Sequence, residues 1–257
     1  MSTLVEQLQN RVRVSEKVVA SARTHGPKIA GILAAQAIEV EGASTPATEN
    51  AFKAVIFALA NGLEHSTKAM RDSEQAVAAE KADDAPIRTR RDVAAGNLAD
   101  ILVRLRSTIE DHLGEDGIKT YGLTGETSRV PRKVFEQAHS VAHLLEKTPV
   151  RLTSPFGASF DSAIAAAALI AQATALDGLI ADDDREAREL ENAYALRDRA
   201  VAAWSETYQG TAAALEGLYR RAGWKELAEK VRPTVRKVRG EESGAEVEGG
   251  TGEAGGG

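Results

Sequence analysis

Glu136, His139 and His143 are the residues whose type and spacing come nearest to a metal site. Glu136-Gln137-Ala138-His139 is a Glu-x-x-His segment, and His139 and His143 stand one helical turn apart. A carboxylate and two imidazoles on one helix would supply three ligands to a transition metal, provided that they project to the same side and inward. The surrounding residues set their direction. Val134, Ala138, Val141 and Leu145 define an apolar stripe, and at about 100° per residue Glu136 and His143 fall opposite it, with His139 on its flank. A helix that buries the stripe turns all three toward solvent. His65 and His112 are single histidines near or on apolar helix faces, where a hydrogen-bonded structural role is expected.

The Glu-x-x-His spacing of Glu136 and His139 resembles one helix of the di-iron carboxylate bundles. His139 with His143, joined by His65 or His112 as a third ligand, resembles the DinB-like metal-binding bundles. Either resemblance implies a helical bundle whose ligands face inward around a metal. The resemblance covers one helix, a second Glu-x-x-His is missing, and the stripe points the ligands outward. A metal-binding bundle is therefore the third reading, and no residue is assigned as a metal ligand.

The remaining chemistry-bearing residues lead no further. Asp182-Asp183-Asp184 could attract a divalent cation, but adjacent helix residues diverge and the glycine and spacing of a calcium loop are absent. A solvated charge run or a capping cluster is expected. Cysteine is absent, which excludes disulfides, thiolate metal sites and thiol catalysis. There is no serine between glycines on a strand-to-helix elbow, and Gly249, Gly250 and Gly252 follow no strand that would make them a phosphate cradle. No catalytic and no cofactor-binding residue is assigned, no cofactor is expected, and the chain reads as a non-enzyme.

Helices must position whatever the protein uses. Phe52, Ile56, Leu59, Leu63, Ser66, Met70, Ser73 and Val77 alternate steps of four and three, which stacks them along one helix edge. Ala94, Leu98, Ile101, Leu105 and Ile109 form a second row, and Ala187, Leu190, Tyr194, Arg197, Val201, Trp204 and Tyr208 a looser third. Aromatics make up 4% of the 257 residues, so contact rests on aliphatic side chains suited to close helix approach. The expected fold is all-α: an elongated bundle of long antiparallel helices with short connecting helices.

Expected boundaries follow the breakers. A first helix ends at His25-Gly26-Pro27 and a short one spans 28–40. The helix opened by Thr45 and Pro46 breaks or kinks at Asp83-Asp84-Ala85-Pro86, with Arg88, Arg90 and Arg91 at the solvated start of the next, which closes at Gly114. Residues 115–130 read as a loop, Pro131 opens a helix to Lys147, and the chain turns at Pro149 and Pro155. Ser159 caps one helix or a bent pair over 160–222, Gly223 ends it, and a short helix follows to Lys230. Within it, 163–171 is apolar all round, which predicts a central helix buried on every side. Arg91-Asp92 and Ile109-Glu110 recur 106 residues later as Arg197-Asp198 and Leu215-Glu216, the mark of a duplication or of chance in a chain rich in Ala, Arg and Leu.

Charge is concentrated at the end. Glu241, Glu242, Glu246, Glu248 and Glu253 supply five of the net six negative charges, so a bundle domain over 1–239 is near neutrality and 240–257 reads as a disordered acidic tail. It follows a basic strip of Lys230, Arg232, Arg236, Lys237 and Arg239, which tail and strip could mutually shield. Pro233 interrupts that strip and the net charge is acidic, so a nucleic-acid partner is not expected. Residues 1–8 lack the apolar core of a signal peptide, which points to the cytoplasm. The function expected is binding or scaffolding through a protein partner or self-association. The alternative is a membrane- or surface-acting protein, pore-former-like or phasin-like, which is possible but not favoured.

Overall fold

The computed structural model describes residues 4–41, 46–153 and 159–239. They form six helices, α1 (Leu4–Glu41), α2 (Pro46–Thr120), α3 (Pro131–Lys147), α4 (Ser162–Arg221), α5 (Lys225–Val231) and α6 (Val235–Arg239). A two-stranded antiparallel hairpin, β1 (Arg151–Thr153) with β2 (Ser159–Asp161), joins α3 to α4. The chain is an all-α helical bundle, as its apolar rows require. The Thr45 cap, the Pro155 turn and the 240–257 tail lie outside the described residues.

Several expected breaks are absent. α1 continues through Pro27 and α2 through Pro86, although each proline removes one helical donor. Burial on both sides of Pro27 overrides local propensity, since Ala22, Ile29, Ala30 and Leu33 are all closed to solvent. Gly26 allows this closeness, because a Cβ there would stand 2.9 Å from Ile56 Cγ2 on α2. The region 162–221 is one helix. Gly114 does interrupt α2, with φ of 66°, after which the chain turns helical again to Thr120. That segment replaces part of the loop expected over 115–130.

Ser159 and Phe160 also depart from expectation, lying in β2 rather than at a helix start. The cap is instead Asp161, whose Oδ1 accepts from the backbone N–H of Ala163 at 3.0 Å and of Ile164 at 3.4 Å. Arg151, on the opposite strand, hydrogen-bonds the same carboxylate and holds it below the usual carboxylate range. At the other end, Trp224 N–H donates to Tyr219 O at 2.8 Å and Gly223 has φ of 82°, a glycine-terminated turn that satisfies the last carbonyls.

The chain divides into two compact units. Of the described residues, the first comprises 4–41, 46–76 and 195–239. In it α1 and α2 run antiparallel, tied by Arg23 to Glu64 and Glu16 to Arg71. Ile29, Leu33, Ile56, Leu63 and Met70 pack there with Trp204, Tyr208, Leu215 and Tyr219 of α4. The expected row is the buried edge of α2: Ile56, Leu63, Met70 and Val77 are closed off, and Phe52, Leu59, Ser66 and Ser73 are half-buried. α5 and α6 return along α1, with Trp224 edge-on to His25 and Val238 O accepting from Arg11 Nε at 3.2 Å.

The second unit is residues 77–194. Leu98, Leu102 and Ile109 of α2, Val134, Val141 and Leu145 of α3, and Leu169 and Leu176 of α4 share one core, closed by Phe160 of the hairpin. Tyr121 OH donates to Thr148 O at 2.8 Å and ties the turn after α2 to the end of α3. The third apolar row is only partly right, because Ala187 is exposed while its neighbour Glu186 is buried.

Candidate functional site

The histidine cluster takes the direction that its helix stripe dictates. Val134, Ala138, Val141 and Leu145 are buried, and Glu136, His139 and His143 are exposed. His139 lies edge-on to Phe135 at 5.3 Å between centroids. His65 is exposed and on the other compact unit. His112 donates from Nδ1 to Thr108 O at 2.8 Å, one turn back on its own helix. Its Nε2 is buried without a partner.

The acidic triplet is solvated at Asp182 and Asp184 but not at Asp183. Asp183 is largely buried and pairs with Arg91 of α2, with Arg88 Nε 3.7 Å from its Oδ1. Asp184 reaches Arg132 of α3, and Asp182 pairs with Arg185 on its own helix. Successive side chains thus diverge to three partners, the reason that they cannot converge on one ion. Arg88 and Arg91 lie within continuous α2 rather than at a helix end, and Arg88, still half exposed, also holds Asp84 Oδ2 through Nη2 at 2.6 Å. Asp84 and Glu186 are the buried charged residues of the described chain, and Asp84 Oδ1 has no hydrogen-bond partner. The carboxylate oxygens of Glu186, Glu80 and Glu189 lie within 4.8 Å of one another. Arg185 offsets that cluster, 3.4 Å from Glu186 and 3.8 Å from Glu189.

The alanine-rich start of α4 is not buried on every side. α4 contains a stretch of 18 residues with mean hydropathy 1.7, long and apolar enough by composition to cross a membrane, yet 28% of it is buried. Ala166, Leu169, Ala173 and Leu176 face the core. Ile164, Ala168, Ala171, Ala175 and Gly178 are exposed, and at 100° per residue they form one stripe opposite the buried face. Ile164 is 70% exposed. The reason is the size of the neighbours: a two-helix layer of α2 and α3 covers only one side of α4, and alanine tolerates the other side in water because it exposes little apolar area.

In the first unit, α1 and the α5–α6 return enclose a groove of about 710 Å³. Val14, Val18, Leu227 and Val231 give it apolar walls, Arg13, Lys17, Lys230 and Lys237 bring cations, and Tyr208 of α4 also lines it. Tyr208 is fully buried and stacked on Trp204 at 5.3 Å between centroids. Its hydroxyl has no hydrogen-bond partner, and burial pushes its pKa up to about 12. The linear order marked Lys230 and Lys237 as part of a basic strip but not the groove, because Arg13, Tyr208 and Lys230 are brought together only by the return of α5 along α1. The chain matches no family model, no curated protein and no solved structure.

Proposed function

We propose that this chain is a non-catalytic binding and scaffolding protein that works by self-association through the exposed stripe of α4. The observation that carries the reading is the stripe itself, an apolar face at steps of four and three that lies uncovered opposite the buried edge of α4. It is self-complementary. Around a two-fold axis at Ala171, an antiparallel copy sets Ile164 against Gly178, whose missing side chain leaves open space, and does so twice by symmetry. Between these knobs lie Ala168, Ala171 and Ala175, small enough for two helix backbones to approach closely.

The test is sedimentation velocity over a concentration series of the full chain and of Ala171→Glu. Ala171 is exposed, so the variant keeps its fold while burying two carboxylates at the axis of any dimer. The wild type is expected to form a dimer that Ala171→Glu dissociates. A wild type that sediments as a monomer throughout, or a variant that dimerises as well as its parent, refutes the reading.

The mean hydropathy of the same stretch favours a second reading, adsorption to a lipid or polymer surface. Flotation with liposomes separates the two, since only the surface reading expects the protein in the lipid fraction.

A further inference from the structure

We infer that the groove between α1 and the α5–α6 return is a binding site for a small amphiphilic anion, a carboxylate or phosphate monoester carried on an apolar body. Three independent features select that chemistry. The walls are aliphatic over part of their extent, through Val14, Val18, Leu227 and Val231, and the volume of about 710 Å³ is in the range of small-molecule pockets. Charge at the groove is one-sided. Arg13, Lys17 and Lys230 form no ion pair among the described residues, whereas the one lining carboxylate, Glu229, is held by Arg220 and Arg232. The third feature is Tyr208, a fully buried residue whose hydroxyl has no partner.

That hydroxyl is the most specific of the three. A buried phenol left unpaired costs stability, and the stack on Trp204 fixes the ring so that the group cannot turn out to solvent. A tyrosine phenol is protonated at physiological pH, so the group is a hydrogen-bond donor and asks for an oxygen acceptor. The hydroxyl is closed to solvent in the empty groove, so an anion's oxygen, or one ordered water that it holds, reaches it through a side-chain shift at the groove floor on binding. Trp204 is itself locked by its Nε1 bond to Ser15 Oγ at 2.8 Å, so the ring that carries the donor is held in place. This site is independent of the α4 stripe and goes beyond self-association.

Isothermal titration of the full-length protein with decanoate, decyl phosphate and decyltrimethylammonium below their micellar concentrations tests it. At least one of the anions is expected to bind saturably at one site and the cation not at all, and the tighter of the two names the head group. Tyr208→Phe is expected to weaken that binding about tenfold while melting no lower than the parent without ligand, since it removes an unpaired hydroxyl. Arg13→Glu with Lys17→Glu, both exposed, should abolish it. Ala171→Glu should bind as the parent does, which separates this site from the stripe of α4. Absence of saturable binding by both anions, equal binding of the cation, or unchanged affinity in Tyr208→Phe overturns the inference.

Discussion

Ser15→Ala deletes one oxygen from the core of the first unit. Ser15 is 1% exposed and Trp204 is closed off. Ser15 Oγ accepts from Trp204 Nε1 at 2.8 Å and donates to Arg11 O at 3.0 Å, one turn back. Alanine leaves the indole N–H buried and unpaired, at a cost of about 1–3 kcal/mol. Against this, Ala is a better helix former than Ser by roughly 0.5 kcal/mol. The net expectation is a loss of about 1–2 kcal/mol, or roughly 3–6 °C in melting temperature for a chain of this size. Urea unfolding followed by far-ultraviolet circular dichroism measures it without relying on tryptophan emission. The stringent form is a double-mutant cycle with Trp204→Phe. Phenylalanine has no N–H to strand, so in that background Ser15→Ala should cost nothing or stabilise slightly, giving a coupling of about 1–2 kcal/mol. The reasoning is refuted if Ser15→Ala costs the same, within about 0.3 kcal/mol, in both backgrounds.

Pro86→Ala should stabilise by about 1–2 kcal/mol, because it restores a helical donor inside continuous α2 while loosening the unfolded chain; a lower urea midpoint would mean that the chain needs a break there. Glu80→Gln should raise the midpoint slightly by relieving repulsion with Glu186 and Glu189, and a drop would show that a bound cation already offsets it. Alkali should destabilise the fold. Burial raises Tyr208 to about 12, and Tyr121 and Tyr219 in the same direction, so the folded state retains phenolic protons that the unfolded state releases from about pH 10. Tyr208 therefore lowers stability by roughly 2–3 kcal/mol as pH rises from about 10 to 12, and has no such effect below pH 10. Tyr208→Phe should flatten that part of the stability curve, and an unchanged slope would contradict the burial argument.

Helix periodicity and the direction of the histidines were legible from local order alone. The row from Phe52 to Val77 needed only the 3.6-residue repeat, and the same geometry applied to Val134, Ala138, Val141 and Leu145 placed His139 and His143 outside the core. Gly114, Pro131 and Gly223 act through their own backbone preferences, so their effects were also readable. Pro27 and Pro86 show where local rules fail. A proline's penalty is a few kcal/mol, and the burial of Ala22, Ile29 and Leu33 around Pro27 exceeds it; that comparison requires knowing what the helix packs against.

What the amino-acid order determined by itself, then, was the kind of element and which edge of it is apolar, because both arise from interactions within a few residues of the chain. Tertiary structure alone decided which edges find a cover. Ala163 to Ala171 reads as apolar all round, and only the placement of α2 and α3 on one side leaves Ile164, Ala168 and Ala171 uncovered. It also decided the charge pairings of Asp183 and Asp184 with Arg91 and Arg132, and the meeting of Arg13, Tyr208 and Lys230 around one groove. Such contacts join residues distant in the chain, and their energies depend on distance and desolvation, which exist only once the helices have packed.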